Sequence, residues 1–179
     1  MKNIVVVYKS IYGSTKKYAQ WIAEEIGADS FEHSEIGAKG LTGYDIIIYG
    51  GGLYAGGIAG ISMITQNYEM LKDKKIVVFT VGLASTDKKE VFIPIIEKNF
   101  PKGMHGNIEF FHLRGGIDYK ELSFVHRAMM AMLKFALSRK DPNKLSDDDR
   151  ELLATYGGKV DFTDKNTLAP LLLFLKNQG

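Results

Sequence analysis

Apolar residues in this chain gather in short unbroken runs, separated by loops rich in Gly, Ser and Thr. Asn3 to Val7 reads as a buried strand, and Lys16 to Ile26 follows with the spacing of an amphipathic helix. Ala28 to His33 reads as a second strand, leading through the glycine-rich connection Gly37 to Gly43 into the strongly apolar strand Tyr44 to Tyr49. The glycine run Gly50 to Gly60 comes next, followed by a helix over Ile61 to Leu71 and a strand over Lys75 to Thr80. A helix over Asp87 to Asn99 and a last strand over Asn107 to Leu113 complete the pattern. Strands without polar alternation belong to a sheet covered on both faces. The order predicts an α/β chain: a three-layer, doubly wound sheet of five parallel strands.

In such sheets ligands bind beyond the carboxyl ends of the strands. Three loops meet there: Ser10 to Thr15, Gly50 to Gly57 and Gly82 to Thr86. The first, "SIYGST", precedes a helix, whose free amide groups and partial positive charge attract an anion. Ser10, Ser14 and Thr15 add hydroxyl donors around Gly13, where the backbone can approach an oxyanion closely. Ser14 and Thr15 are also preferred helix caps, so this loop alone reads equally as a phosphate site or a cap. The lysine of a nucleotide-triphosphatase loop and the G-x-G-x-x-G of a dinucleotide site are both missing.

Composition narrows the chemistry. The 179 residues are 45% hydrophobic and contain no cysteine, which excludes disulfides, thiol catalysis, iron–sulfur clusters and thiolate zinc sites. His33, His105, His112 and His126 have no metal-motif spacing, so no metal is expected. A net charge of +2, without a basic stretch interleaved with aromatics, argues against nucleic acid. The first apolar run is too short for a signal-peptide core, and a cytoplasmic location is expected.

Together, "SIYGST", "GGGLYAGG" and "VGLAS" resemble the three FMN-contacting loops of the flavodoxin family. The resemblance covers residues 1 to about 114 and the C-terminal helix. It implies the sheet order 2-1-3-4-5, for which flavodoxin is the standard example, and FMN as cofactor. It also implies that Ser10, Tyr12, Gly13, Ser14 and Thr15 hold the phosphate. Gly51, Gly52, Leu53, Tyr54, Ala55 and Gly56 would form the second flavin loop, with Tyr54 stacked on the isoalloxazine. Gly51, Gly52 and Gly56 would let that loop turn, and Gly82, Leu83, Ala84 and Ser85 would offer backbone donors to the pyrimidine edge. No catalytic residue is identified, because no acid–base side chain lies near these loops in sequence.

The chain departs from an electron-carrier flavodoxin in being slightly basic rather than strongly acidic, and in a helical insertion, 115–145, after the last strand. Leu122 to Leu137 reads as a Met-rich amphipathic helix, and Arg114 to Lys144 holds seven Lys or Arg against three Asp or Glu. Such a helix packs on a core, covers a large apolar ligand, or lies on an anionic membrane surface. With this insertion the chain resembles the flavodoxin-type protoporphyrinogen dehydrogenases. The resemblance implies an FMN-dependent oxidoreductase acting on a large apolar substrate or quinone. Its partners would be a redox partner or quinone, with peripheral contact at the inner membrane face through 122–140. A soluble electron carrier and a flavin-free interaction module are the alternatives. Removing the 122–137 helix is expected to spare FMN binding, since the three loops lie elsewhere in the sequence. Further on, Ser146 is expected to cap a helix reaching Tyr156, and Leu168 to Asn177 to form the closing helix with Pro170 in its first turn.

Overall fold

A computed structural model of the chain describes residues 2–178. Its elements run β1 (Ile4–Lys9), α1 (Ser14–Ile26), β2 (Asp29–Glu32), α2 (Ala38–Leu41), β3 (Ile46–Tyr54), β4 (Gly57–Ile58), α3 (Ser62–Thr65) and α4 (Tyr68–Leu71). They continue with β5 (Lys75–Gly82), α5 (Ile93–Asn99), β6 (Ile108–Arg114), β7 (Gly116–Asp118), α6 (Phe124–Ser138), α7 (Asp147–Thr155), β8 (Lys159–Asp161) and α8 (Ala169–Lys176). Five strands of the main sheet pair in parallel in the order β2-β1-β3-β5-β6, and the short β4 pairs antiparallel with β3. Counting these five strands alone, that is the expected 2-1-3-4-5.

One row of the sheet runs Asp29, Val5, Ile47, Ile76, Ile108 across all five strands. Because successive side chains alternate between faces, Val5, Ile47 and Ile76 pack on one side with Ile64 and Leu71 of α3 and α4. On the other side, Val6, Ile48 and Val77 meet Tyr18 and Ile22 of α1 and Leu171 and Leu175 of α8. Both faces are covered, which explains the unbroken apolar strands.

Several boundaries differ from the sequence reading. The helix expected over Ile61 to Leu71 is two four-residue turns. That expected over Asp87 to Asn99 is a 3₁₀ turn, Lys89–Phe92, followed by α5, where Pro94 lies in the first turn. β3 does not stop at Tyr49 but continues through Gly50–Gly52 to Tyr54, then doubles back on β4. The antiparallel pair β7–β8, which the apolar pattern does not signal, ties the start of the 115–145 segment to the chain before α8.

Candidate functional site

β1, β3 and β5 end side by side, and their loops enclose one cavity of about 140 Å³. Ser10, Tyr12, Ser14, Thr15, Gly52, Leu53, Tyr54, Ala55, Gly82 and Leu83 line it. The structure thus brings together ten of the fifteen residues singled out from the sequence. The other five lie differently. Gly13 borders a neighbouring surface groove, and Gly56 and Ala84 border a second cavity. Gly51 is not a hinge: it lies in the extended strand β3, and a Cβ there would be 2.4 Å from Ile58 Cγ2 and 2.9 Å from the Ala59 carbonyl oxygen. The Ser85 amide donates to both carboxylate oxygens of Asp148, at 3.2 and 3.1 Å, so it is spent within the protein.

At the α1 end, the cap is Gly13, with φ 96°, and no side chain caps the helix. The hydroxyls near it are therefore not spent on capping. Ser10 Oγ accepts the Gly13 amide at 3.1 Å, and Ser14 Oγ accepts the Gly116 amide at 3.1 Å. Each oxygen accepts one amide and keeps its own O–H to donate. Thr15 is only 3% exposed, yet its hydroxyl has no hydrogen bond among the described residues. Every fully buried side-chain polar atom among those residues is partnered, so the Thr15 hydroxyl opens to the cavity it lines. Three hydroxyl donors and the free amides of a thirteen-residue helix make a dianion cradle without a cationic side chain. This donor set fits the terminal phosphate of FMN.

The second loop is a tight hairpin. Tyr54 pairs with Gly57 across the two-residue turn Ala55-Gly56, and both turn residues have positive φ, 49° and 75°. That is the geometry a two-residue hairpin needs, and at Ala55 it is strained. α5 braces the turn: Lys98 Nζ donates to the Ala55 carbonyl at 2.8 Å, and the Asn99 side-chain amide donates to the Gly56 carbonyl at 2.8 Å. The Ile58 amide donates back to Asn99 Oδ1 at 3.0 Å. The hairpin thus fixes Tyr54 at the cavity wall. Burial, helped by the neighbouring Tyr12 hydroxyl, pushes the Tyr54 phenol up to about 12, so it remains neutral. The third loop is held by Arg114, whose guanidinium donates to the Leu83 carbonyl at 3.1 and 3.0 Å, pairs with Glu151 and lies over the Phe162 ring.

Sequence reasoning misses the far wall. Gly115, Gly116 and Ile117 enter from the β6–β7 turn, and Leu122, His126, Met129 and Met130 come from α6 and its approach. The expectation that α6 stands apart from the cofactor loops is therefore corrected. It misled because contacts between residues about a hundred positions apart leave no periodic trace. His126 lies parallel to Tyr54, with ring centroids 4.9 Å apart and 8° between the planes, and its Nδ1 is 2.5 Å from the Tyr12 hydroxyl. An acid–base side chain does lie beside the loops.

Among the described residues no group of His, Asp or Glu side chains could hold a metal ion, and no helix is long and apolar enough to cross a membrane.

A flavodoxin domain model matches residues 5–144. Among solved structures the chain is similar to a flavodoxin, WrbA-like protein from Agrobacterium tumefaciens, at 20% identity over 71% of this chain and 88% of that one, TM-score 0.43. It is similar to the Trp repressor binding protein of Bacillus subtilis at 17% identity, covering 63% and 83%, TM-score 0.47. A flavoprotein in complex with FMN from Lactobacillus acidophilus shares 19% identity, covering 64% and 93%, TM-score 0.40. No curated protein matches the chain. The family match spans most of the chain, from β1 through α6, and includes all three cavity loops; the chain belongs to the flavodoxin family, with FMN as its cofactor.

Proposed function

We propose that the chain is an FMN-dependent oxidoreductase for a large apolar substrate or a quinone, of the kind represented by the flavodoxin-type protoporphyrinogen dehydrogenases. Ser10, Ser14 and Thr15 hold the phosphate with the α1 amides, and Tyr54 and Leu53 face the flavin ring. FMN, when bound, supplies the one- or two-electron chemistry, and the protein supplies binding and orientation.

One observation carries the substrate reading. A second cavity of about 460 Å³ adjoins the first and shares Leu53, Gly82, Leu83, Ile117 and Met130 with it. Its other walls include Leu133 and Leu137 of α6, Leu152 of α7, and Phe92 and Ile95. An electron carrier needs no such chamber; an enzyme for a bulky apolar molecule does.

Contact with a membrane is supported by the two faces of α6. His126, Met129, Met130 and Leu137 form an inward stripe with the spacing of a packed helix, and Leu133 on the same side borders the second cavity while staying 41% exposed. Phe124, Met132 and Phe135 nonetheless remain 87%, 73% and 59% exposed on the same helix. Arg127 lies among them, and Arg139 sits over the Phe135 ring at 4.1 Å. An apolar outer face with basic residues matches an anionic lipid surface, where each basic side chain contributes about 1 kcal/mol.

Anaerobic mixing of the FMN-loaded protein with protoporphyrinogen, then with a soluble quinone, tests the enzyme reading: flavin bleaching by the first and recovery with the second are expected. Co-sedimentation with vesicles containing phosphatidylglycerol, weakening as salt is raised, is expected in parallel. Slow, substrate-independent bleaching without vesicle binding would favour a soluble carrier.

A further inference from the structure

The wall of the flavin cavity contains no Asp, Glu, Lys or Arg among the described residues. Its titratable side chains are Tyr12, Tyr54 and His126, and only an imidazole ordinarily changes charge between about pH 5 and 8. We propose that His126 is the proton-holding side chain of the FMN site, delivered by α6 and held in place by Tyr12. The inference rests on FMN occupying this cavity, not on the identity of the substrate.

The geometry is specific. Ser123 caps α6, its Oγ accepting the His126 amide at 3.2 Å, which fixes the first turn from which the imidazole projects. The Tyr12 hydroxyl oxygen accepts the Ser123 amide at 3.2 Å and stands 2.5 Å from Nδ1 of His126. With that amide already donating to it, the hydroxyl proton is directed to Nδ1, and the neutral imidazole carries its own proton on Nε2. Tyr12 thus links the phosphate loop to the insertion and selects the tautomer, while Tyr54 fixes the plane of the ring by stacking.

The electrostatic surroundings leave this one group in control. From the β1–α1 loop Tyr12 faces it, and from β3 Tyr54 faces it; both side chains are phenols, and burial pushes that of Tyr54 up to about 12. On its own helix the adjacent Arg127 turns its guanidinium toward the Lys120 and Leu122 carbonyls. No ion pair reaches His126 among the described residues. Bound FMN would gain negative charge when an external reductant supplies electrons. His126 would offset that charge by taking a proton from solvent at Nδ1, the Tyr12 hydroxyl turning so that its oxygen accepts from the new N–H, and would release the proton when the electrons leave. Nothing else is consumed.

The test is the FMN midpoint potential, measured with dithionite and reference dyes at several pH values across that range, for the wild type, His126→Gln and His126→Lys. Gln keeps the size and a hydrogen bond to Tyr12 but never carries charge; Lys carries it throughout. The wild type is expected to follow His126→Lys at the acid end and His126→Gln at the alkaline end. The acid-end gap from His126→Gln should correspond to about a tenfold change in the relative affinity for reduced and oxidised FMN, about 30 mV for a two-electron couple. Superimposed curves for wild type and His126→Gln, with FMN bound in both, would overturn the proposal alone. Failure of the wild type to bind FMN would overturn the reading of the cavity as well.

Discussion

Thr15 is almost fully enclosed, its hydroxyl has no hydrogen bond among the described residues, and it lines the cavity at the first turn of α1. Thr15→Val keeps the β-branched shape and removes only that hydroxyl. No partner in the protein is left unsatisfied, so folding stability should change by less than about 0.5 kcal/mol. The hydroxyl's value appears only when a phosphate dianion accepts from it. Hydrogen bonds to charged groups contribute about 1.5 to 3 kcal/mol, a factor of roughly 10 to 150 in affinity. The assay is quenching of flavin fluorescence, run with FMN and with riboflavin, which has the same ring and no phosphate. FMN affinity should fall by that factor while riboflavin affinity stays the same. An equal loss for both ligands, or no loss for FMN, would refute the assignment of this loop to the phosphate.

Other consequences follow from individual contacts. Tyr54→Ala should weaken both FMN and riboflavin by about 1 kcal/mol in the same quenching assay, because it removes a ring partner and no phosphate donor. Ala55→Gly relieves the positive φ of 49° and should raise stability by about 0.5 to 1 kcal/mol, read as a rise in Tm of about 1 to 4 °C. Burial lowers the His112 imidazole to about 4, with the nearby Lys89 adding to the effect, and the ring stacks on Phe92 at 3.8 Å and bonds Thr80 Oγ1 at 2.7 Å. Its unfolded value is about 6.5, so between about pH 6.5 and 4 the unfolded chain binds the extra proton and stability falls as the pH falls. With its partial exposure allowed for, His112→Gln should flatten the urea-measured acid loss by about 1 to 2 kcal/mol. Replacing Met129 and Met130 by Ser should weaken FMN, whereas replacing Phe124 and Phe135 by Ser should spare FMN and weaken vesicle binding.

The sheet was legible because its strands are buried on both faces: Val5–Val7, Ile46–Ile48 and Ile76–Val78 have no polar interruption. The first loop of the cavity was legible as well, since Ser10, Ser14 and Thr15 lie within six residues and straddle a helix start. Two features escaped for different reasons. The glycine run looked like a flexible loop, but Gly51 lacks a side chain because Ile58 and the Ala59 backbone occupy the space, a requirement set by β4 folding back. His126 was one of four histidines without a motif; its significance comes from Tyr12, 114 positions away, and Tyr54. Local patterns encode strands and helix starts, whereas a wall contributed by a distant helix becomes visible only after folding.

A site for FMN built from the three loops and α6 would recognise the cofactor through its terminal phosphate. Equilibrium titration of the cofactor-free protein with FMN, riboflavin and FAD, followed by flavin fluorescence, tests it most directly. One FMN should bind per chain, with riboflavin and FAD each at least about tenfold weaker, since riboflavin offers no phosphate and FAD no terminal one. FAD binding as tightly as FMN, or no saturable binding of any of the three, would contradict it.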